Sequence, residues 1–258
     1  MDPDRFAVSK DGVRIAYDVT GEGKPVLLIH GFASSREQNW GSTGWIDRLA
    51  RDGYRVVSFD CRGHGHSDKP HDPKAYGPHM IDDILAVMHA SGLPDAYIMG
   101  YSMGAMLTIR FLMLHPERVR RAVVAGLGDN YFAEQQSWRD KVANAMLTED
   151  VGAIADIEAR RFRIFGGQKG KDRLALAACM RAPRHFYQPE ELKAAKRPVL
   201  VVAGETDTLA GSPQALAQAF GNGRAQVLPN KDHMTAVGDP GYKRAVLDFF
   251  AETGPSDR

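Results

Sequence analysis

The sequence has little cysteine and almost no net charge, and each shortage excludes a class of protein. Its 258 residues contain two cysteines, Cys61 and Cys179, which lie far apart in the chain. We therefore expect two free thiols in a reducing cytoplasm, with a single disulfide as the alternative. The formal net charge is +1. A chain so nearly neutral has no electrostatic reason to bind nucleic acid or an anionic membrane surface.

Long apolar runs and metal-binding patterns are missing as well. No apolar run approaches the roughly 18–20 residues that a membrane-spanning helix needs, and the polar start, Met1–Arg5, is unlike a secretory signal peptide. The nine histidines are scattered, without a Cys/His cluster at zinc spacing. Residues 166–171 depart from the phosphate-binding loop template. We expect a cytoplasmic protein whose partner is a small molecule, with monomer and homo-oligomer both open.

Short apolar runs alternate with helical patterns along most of the chain. An antiparallel hairpin around Asp11 and Gly12 comes first. The later alternation predicts a mostly parallel, twisted sheet with helices on both faces. Strands are predicted at 26–29, 54–60, from 96, at 121–126, 198–204 and 226–228, and helices at 45–51, 80–91, 214–220 and 242–250.

The alternation stops after Gly128 and resumes at Pro198. The stretch between them has helical patterns only, which predicts a helical cap inserted into the core. The predicted division is a first core segment at 1–128, the cap at 129–195 and a second core segment at 196–258.

Aromatic side chains of the cap could line an apolar pocket or hold the cap together, and the sequence does not separate the two sets. Trp138 and Phe162 are our candidates for substrate contact. The run Arg160–Arg163 predicts a solvated helix face, with binding of a substrate carboxylate as the alternative.

A serine stands between a predicted strand and a predicted helix, in the sequence Gly-Tyr-Ser-Met-Gly at Gly100–Gly104. Because glycine lacks a Cβ atom, Gly100 and Gly104 let strand and helix pack closely while Ser102 takes a strained backbone that holds its Oγ outward. The helix N-terminus beyond it favours negative charge developing nearby. The pattern indicates a nucleophile, although a serine in an ordinary tight turn also fits it.

A serine nucleophile needs a base, and the base needs a third group to orient it. In open α/β sheets such groups come from loops at the carboxyl ends of strands. Asp207 and His233 each follow a predicted strand downstream of Ser102. Asp129 also follows a strand, so it remains an alternative to Asp207.

Five motifs together resemble those of the α/β-hydrolase superfamily, close to its capped esterase, lactonase and carbon–carbon hydrolase branch. They span the predicted core nearly from end to end, and the resemblance implies the α/β-hydrolase fold. In chain order they are His30-Gly31-Phe32, Asp60-x-Arg62-Gly63-x-Gly65-x-Ser67, Gly100–Gly104, Gly204-x-x-Asp207 and the late His233.

By this resemblance Ser102 is the nucleophile, His233 the general base and acid, and Asp207 the orienting carboxylate. The oxyanion hole is formed by the backbone N–H groups of Phe32 and Met103. No cofactor or metal is implied. A serine at this turn argues against haloalkane dehalogenases and epoxide hydrolases, which use a carboxylate nucleophile.

We therefore expect a serine hydrolase that cleaves a carboxylic ester, lactone or related bond of a small, mostly apolar substrate through an acyl-enzyme. A carbon–carbon bond hydrolase or a thioesterase on the same three residues is the alternative. A receptor without turnover is the alternative from another class. Of the remaining motif residues, His30 is expected to brace the oxyanion turn, Arg62 and His64 to act as loop scaffolding, and Asp60 to bond nearby backbone.

Overall fold

A sheet runs through the centre of the molecule in the computed structural model, which describes residues 5–133 and 135–252. Within these residues it has eight strands in the order β1-β2-β4-β3-β5-β6-β7-β8. β2 pairs antiparallel with β1 and β4, and the other neighbours are parallel. The strands are β1 (Arg5–Val8), β2 (Arg14–Thr20), β3 (Lys24–Ile29), β4 (Tyr54–Phe59), β5 (Ala96–Tyr101), β6 (Val119–Ala125), β7 (Val199–Gly204) and β8 (Gly223–Leu228).

Helices connect the parallel strands, which confirms the predicted alternation and fold class. Element ends differ from the prediction by a few residues; β8, for example, begins at Gly223 and not at Gln226. The α-helices are α1 (Trp45–Arg51), α2 (His79–Ala90), α3 (Met103–Leu114), α4 (Gln136–Leu147), α5 (Ile157–Gly166), α6 (Arg173–Arg181), α7 (Pro189–Leu192), α8 (Pro213–Ala219) and α9 (Pro240–Ala251).

Alternate residues of the central strands pack into two separate hydrophobic clusters, one on each face of the sheet. Leu27 and Ile29 of β3 face the cluster that contains α2, α3 and α8, whereas Val26 and Leu28 face the cluster of α1 and α9. Strands buried on both faces read as continuous apolar runs, which is why the sequence pattern identified them. The result is a three-layer arrangement.

Four helices, α4 to α7, lie between β6 and β7, inside the stretch predicted to be inserted. Their apolar side chains extend the cluster formed by α2, α3 and α8. Asp156 and Asp172 cap α5 and α6 by accepting hydrogen bonds from backbone N–H groups. The division at 1–128, 129–195 and 196–258 stays a prediction. Across the described residues, no helix combines the length and apolarity that a bilayer crossing requires.

Candidate active site

Ser102 lies at the sharp turn between β5 and α3, with φ 53° and ψ −111°. A positive φ is strained for any residue other than glycine. Strand and helix pack closely on both sides of this turn. A Cβ atom on Gly104 would overlap the carbonyl oxygen of Ile29, and a Cβ atom on Gly100 would overlap the carbonyl oxygen of Gly104. The Ser102 N–H also donates to the Ala125 carbonyl of β6 at 2.7 Å. The two glycines therefore allow the approach that the sequence predicted.

His233 and Asp207 come together at the same edge of the sheet. Nδ1 of His233 lies 2.8 Å from Oδ2 of Asp207. The Asp207 side chain is fully buried, and its Oδ1 accepts hydrogen bonds from the backbone N–H groups of Leu209 and Ala210 at 3.1 and 2.9 Å. A carboxylate held in this way fixes both the position and the tautomer of the imidazole.

The carboxylate of Asp129 has a partner other than His233. Its Oδ1 accepts a hydrogen bond from the backbone N–H of Ser212 at 2.7 Å, just before α8 begins. The structure therefore brings Asp207, and not Asp129, to the imidazole of His233.

Tyr101 is a contact residue that the sequence analysis missed. Its hydroxyl donates to the backbone carbonyl of His233 at 2.6 Å, and the two rings lie 5.5 Å apart. Burial raises the pKa of the Tyr101 hydroxyl, so it remains a donor. Gly126 leaves room for the tyrosine ring, which a Cβ atom at that position would overlap. The only sequence signal was its place immediately before Ser102.

Ser102 and His233 line a common cavity of about 130 Å³. Phe162 and Phe165 of α5 form its wall, and Phe162 packs on Phe32 with 5.9 Å between ring centroids. A neighbouring cavity of about 240 Å³ shares His233 and both phenylalanines. The predicted contact residue Phe162 thus faces the serine, whereas Trp138 packs edge-on against Phe162 at 5.5 Å and supports that ring.

The turn that carries Phe32 is braced by two polar side chains. The buried His30 ring donates from Nδ1 to the Gly31 carbonyl at 2.7 Å and accepts at Nε2 from the Cys61 N–H at 2.9 Å. Burial lowers the pKa of His30 to about 4, so the ring is neutral near pH 7. Asn39 Oδ1 accepts from the Gly31 N–H at 3.0 Å. His30 therefore has the bracing contacts that the sequence predicted.

Met103, the second predicted oxyanion donor, is the first residue of α3. The first N–H groups of a helix have no partner within the helix, and they lie at the positive end of its dipole. Phe32 follows β3 and lines the serine cavity.

Charged residues of the glycine-rich loop after β4 pair inside the protein. The backbone N–H groups of Arg36 and His66 donate to the Asp60 carboxylate at 2.8 and 2.9 Å. Arg62 is fully buried and pairs with Asp83 at 2.6 Å. His64 donates from Nδ1 to the Arg62 carbonyl at 2.9 Å, and burial lowers its pKa to about 3. These contacts hold the loop against β3 and α2.

The arginine run of α5 is not the uniform solvated face that the sequence predicted. Arg161 fits that prediction, since its side chain is 72% exposed and pairs with Glu158 at 2.7 Å. The prediction is wrong for Arg163, which is buried and donates to the Thr148 carbonyl at 3.0 Å. The different burial of Arg161 and Arg163 results from the packing of α5 on α4, which a run of charged residues in the sequence does not reveal.

Neither a metal cluster nor a disulfide is found in the described part of the chain. No three His, Cys, Asp or Glu side chains there come close enough to hold a metal ion. Cys61 and Cys179 are both free and buried, and burial raises the pKa of each thiol.

Comparisons with known proteins agree with this fold. The family model of the alpha/beta hydrolase fold matches residues 24–148. The 2-hydroxymuconate semialdehyde hydrolase of Pseudomonas putida is 35% identical over 260 residues, which cover 93% of this chain and 92% of that protein. Bifunctional epoxide hydrolase 2 of Rattus norvegicus is 30% identical over 117 residues, or 45% of this chain and 20% of that one.

A solved structure extends the likeness to the whole fold. The crystal structure of a hydrolase from Pseudomonas aeruginosa PA01 superposes with a TM-score of 0.80 at 26% identity, over 96% of this chain and 98% of that chain. With the sheet order, the strained serine turn and a relative that matches nearly its full length, the chain belongs to the alpha/beta hydrolase family.

Proposed function

We propose that this hydrolase cleaves an ester-type bond, in a carboxylic ester or lactone, of a small and mostly apolar substrate. One observation carries the proposal. Ser102, on a strained turn, lines the same cavity as His233, and that imidazole is bonded to the buried carboxylate of Asp207 at 2.8 Å.

The hydrogen bond between His233 and Asp207 supports a role for each group in the proposed reaction. With the Nδ1 proton donated to Asp207, Nε2 of His233 carries the lone pair. His233 takes the proton of Ser102 as Oγ attacks the substrate carbonyl, and the N–H groups of Phe32 and Met103 stabilise the oxyanion. The carbonyl then re-forms, and the leaving alcohol departs with the proton held by His233. Water repeats the sequence on the acyl-enzyme and releases the acid and the free serine.

The cavity supports a small substrate. About 130 Å³ beside Ser102 and about 240 Å³ next to it are bounded by Phe162, Phe165 and Met234. Such walls favour an apolar body, because burying apolar surface contributes about 25 cal/mol per Å².

The Pseudomonas putida relative supports a second candidate. That protein is named a 2-hydroxymuconate semialdehyde hydrolase, and the likeness spans 93% of this chain. On this alternative the same three residues would hydrolyse a carbon–carbon bond. Thioester hydrolysis would need no other group.

The test is turnover by the purified protein on p-nitrophenyl esters, lactones, thioesters and a 2-hydroxymuconate semialdehyde. We expect ester or lactone turnover, and a loss of at least about 10⁴-fold in kcat for Ser102→Ala, since removal of the nucleophile leaves little more than binding and oxyanion stabilisation. Ser34→Ala is the matched control, because Ser34 lines the same cavity. Turnover that survives Ser102→Ala contradicts the proposal, and so does a protein that binds these compounds without converting them.

A further inference from the structure

A small cavity lies between α3 and the segment after α6, apart from the one that Ser102 lines. Its volume is about 40 Å³. One water molecule needs about 10–15 Å³ by this measure, so the space suits a group of roughly three heavy atoms. Two arginines, Arg110 and Arg184, also line it. The rest of the wall is mostly apolar and includes Met80, Met103, Met106, Leu107, Cys179 and Phe186.

Among the described residues, the groups around the Arg184 guanidinium are sulfur atoms, which include the protonated thiol of Cys179. Nη1 of Arg184 lies 3.4 Å from the sulfur of Met106 and its Nη2 3.8 Å from the sulfur of Met180. A thioether is a poor hydrogen-bond acceptor and carries no charge to balance the cation. Burial lowers the pKa of Arg184, which is the electrostatic signature of a cation without a counter-ion.

The guanidinium group of Arg110 on α3 has a nitrogen without an acceptor in the described part of the chain. Its Nε is buried and has no hydrogen-bond partner among residues 5–133 and 135–252. Within those residues, neither Arg110 nor Arg184 has a carboxylate at ion-pair distance. Arg139 adds a third cation nearby, and it donates to the carbonyl oxygens of Met180 and Ala182. The cavity therefore carries an excess of positive charge.

Two other buried arginines of this protein are paired with carboxylates, whereas the buried Arg139 and Arg163 have no carboxylate partner among the described residues and donate to backbone carbonyls. Arg62 pairs with Asp83 at 2.6 Å and with Asp11 at 2.7 Å. Arg36 pairs with Asp18 at 2.6 Å. Buried charges are normally paired, because desolvation of an isolated ion is costly.

The cavity begins within one helical turn of the nucleophile. Met103 follows Ser102 directly, and its side chain lines the cavity. The N–H of Met106, another lining residue, donates to the Ser102 carbonyl at 3.1 Å. Met103 and Met106 thus connect the turn that carries Ser102 with the wall of this cavity.

We propose that a substrate with its carbonyl at Ser102 extends along the first turn of α3, and that Arg110 and Arg184 form a subsite for a carboxylate that it carries. The substrate is then a small ester or lactone with one free carboxylate. The planar guanidinium fork matches a carboxylate, and a group of three heavy atoms fits the space. The bond that is cut rests on the function proposed above, whereas binding of the carboxylate does not.

The kinetic test compares mono-p-nitrophenyl glutarate with p-nitrophenyl pentanoate, two esters of equal acyl length. In Arg184→Gln and in Arg110→Gln we expect the ratio of kcat/KM, glutarate over pentanoate, to fall about tenfold or more, mainly through KM, because each loses a charge-assisted hydrogen bond. Arg181→Gln is the matched control on α6, since Arg181 is exposed and bonds Asn144. An unchanged ratio in both variants overturns the subsite.

A binding test separates the subsite from the chemistry. Isothermal titration with glutarate needs no turnover, and we expect the dissociation constant to rise about tenfold or more in Arg184→Gln but not in Arg181→Gln. If no ester is hydrolysed yet glutarate binding depends on Arg184, the proposed function fails and the subsite stands. Glutarate binding that is equal in all three proteins overturns the subsite.

Discussion

Asp207 and Asp129 both follow parallel strands, but their side chains have different hydrogen-bond partners. Asp207 lies 2.8 Å from the imidazole of His233, whereas Asp129 accepts from the Ser212 N–H. The sequence narrowed the orienting carboxylate to these two positions, because both come at strand ends. The resemblance favoured Asp207, but position at a strand end did not exclude Asp129, since the choice depends on how residues 207 to 212 turn back toward β6.

Asparagine substitutions at these two positions form a matched pair. Asp207→Asn is expected to lower kcat by about 10⁴-fold, because the amide favours the wrong imidazole tautomer, as in the serine-protease precedent. Asp129→Asn should change kcat far less, since an amide oxygen can still accept from Ser212. Steady-state kinetics on one aryl ester measures both variants, and the reverse ranking would place the orienting acid at Asp129.

Residues such as Tyr101 and Arg184 show what the sequence did not reveal. Tyr101 donates to a backbone carbonyl 132 positions away in the chain. Arg184 meets Met106 of α3 only because the helices between β6 and β7 pack on the core. Such contacts carry no periodicity and no spacing, so pattern analysis has nothing from which to find them.

Two loops support the site at the scale of elements. The turn after β3 and the glycine-rich loop after β4 pack together through His30 and His64, whose rings lie 5.1 Å apart and edge-on. The sequence assigned both histidines to scaffolding, and their hydrogen bonds to backbone agree with that assignment. Burial favours the neutral form of each ring.

Acid should therefore destabilise the protein from about pH 6.5 downward. Burial lowers the pKa of His30 to about 4 and that of His64 to about 3, below the ordinary histidine value of about 6.5. Between those values the unfolded chain binds protons that the folded one does not, so the free energy of unfolding falls as pH falls. Each histidine contributes about 1.4 kcal/mol per pH unit in its window.

Urea unfolding at pH 7, 6 and 5 measures this slope. His64→Gln should make it shallower, because one of the two suppressed protonations is then removed. His89→Gln is the control, since His89 is exposed at the end of α2. A free energy of unfolding that stays constant over this range contradicts the assignment of both rings as buried and neutral.

The whole molecule explains why distant residues meet. Phe32, Ser102, Asp207 and His233 follow β3, β5, β7 and β8, and these strands are parallel in one sheet, so their carboxyl ends share an edge. This placement was predictable from the alternation of strands and helices. The strand order and the face that α5 turns to the serine were not, because both depend on long-range packing.

Two arginines without carboxylate partners among the described residues, in addition to an apolar cavity, are the features on which the proposed substrate class rests. Phe32, Phe162 and Phe165 line the serine cavity. The separate cavity of about 40 Å³ between α3 and the segment after α6 is lined by Arg110 and Arg184, which have no carboxylate partner in the described ranges. An apolar body with one carboxylate end fits both. The formal net charge of +1 does not reveal this local excess of positive charge, because folding brings the two arginines together.

Detection of the acyl-enzyme is the most direct test of the central claim that Ser102 attacks the substrate. The protein would be mixed with p-nitrophenyl pentanoate, quenched in acid within the first turnover, digested and analysed by mass spectrometry. The account predicts a pentanoyl group on Ser102 and on no other residue. Hydrolysis of the ester without acylation of Ser102, or with acylation elsewhere, would contradict it.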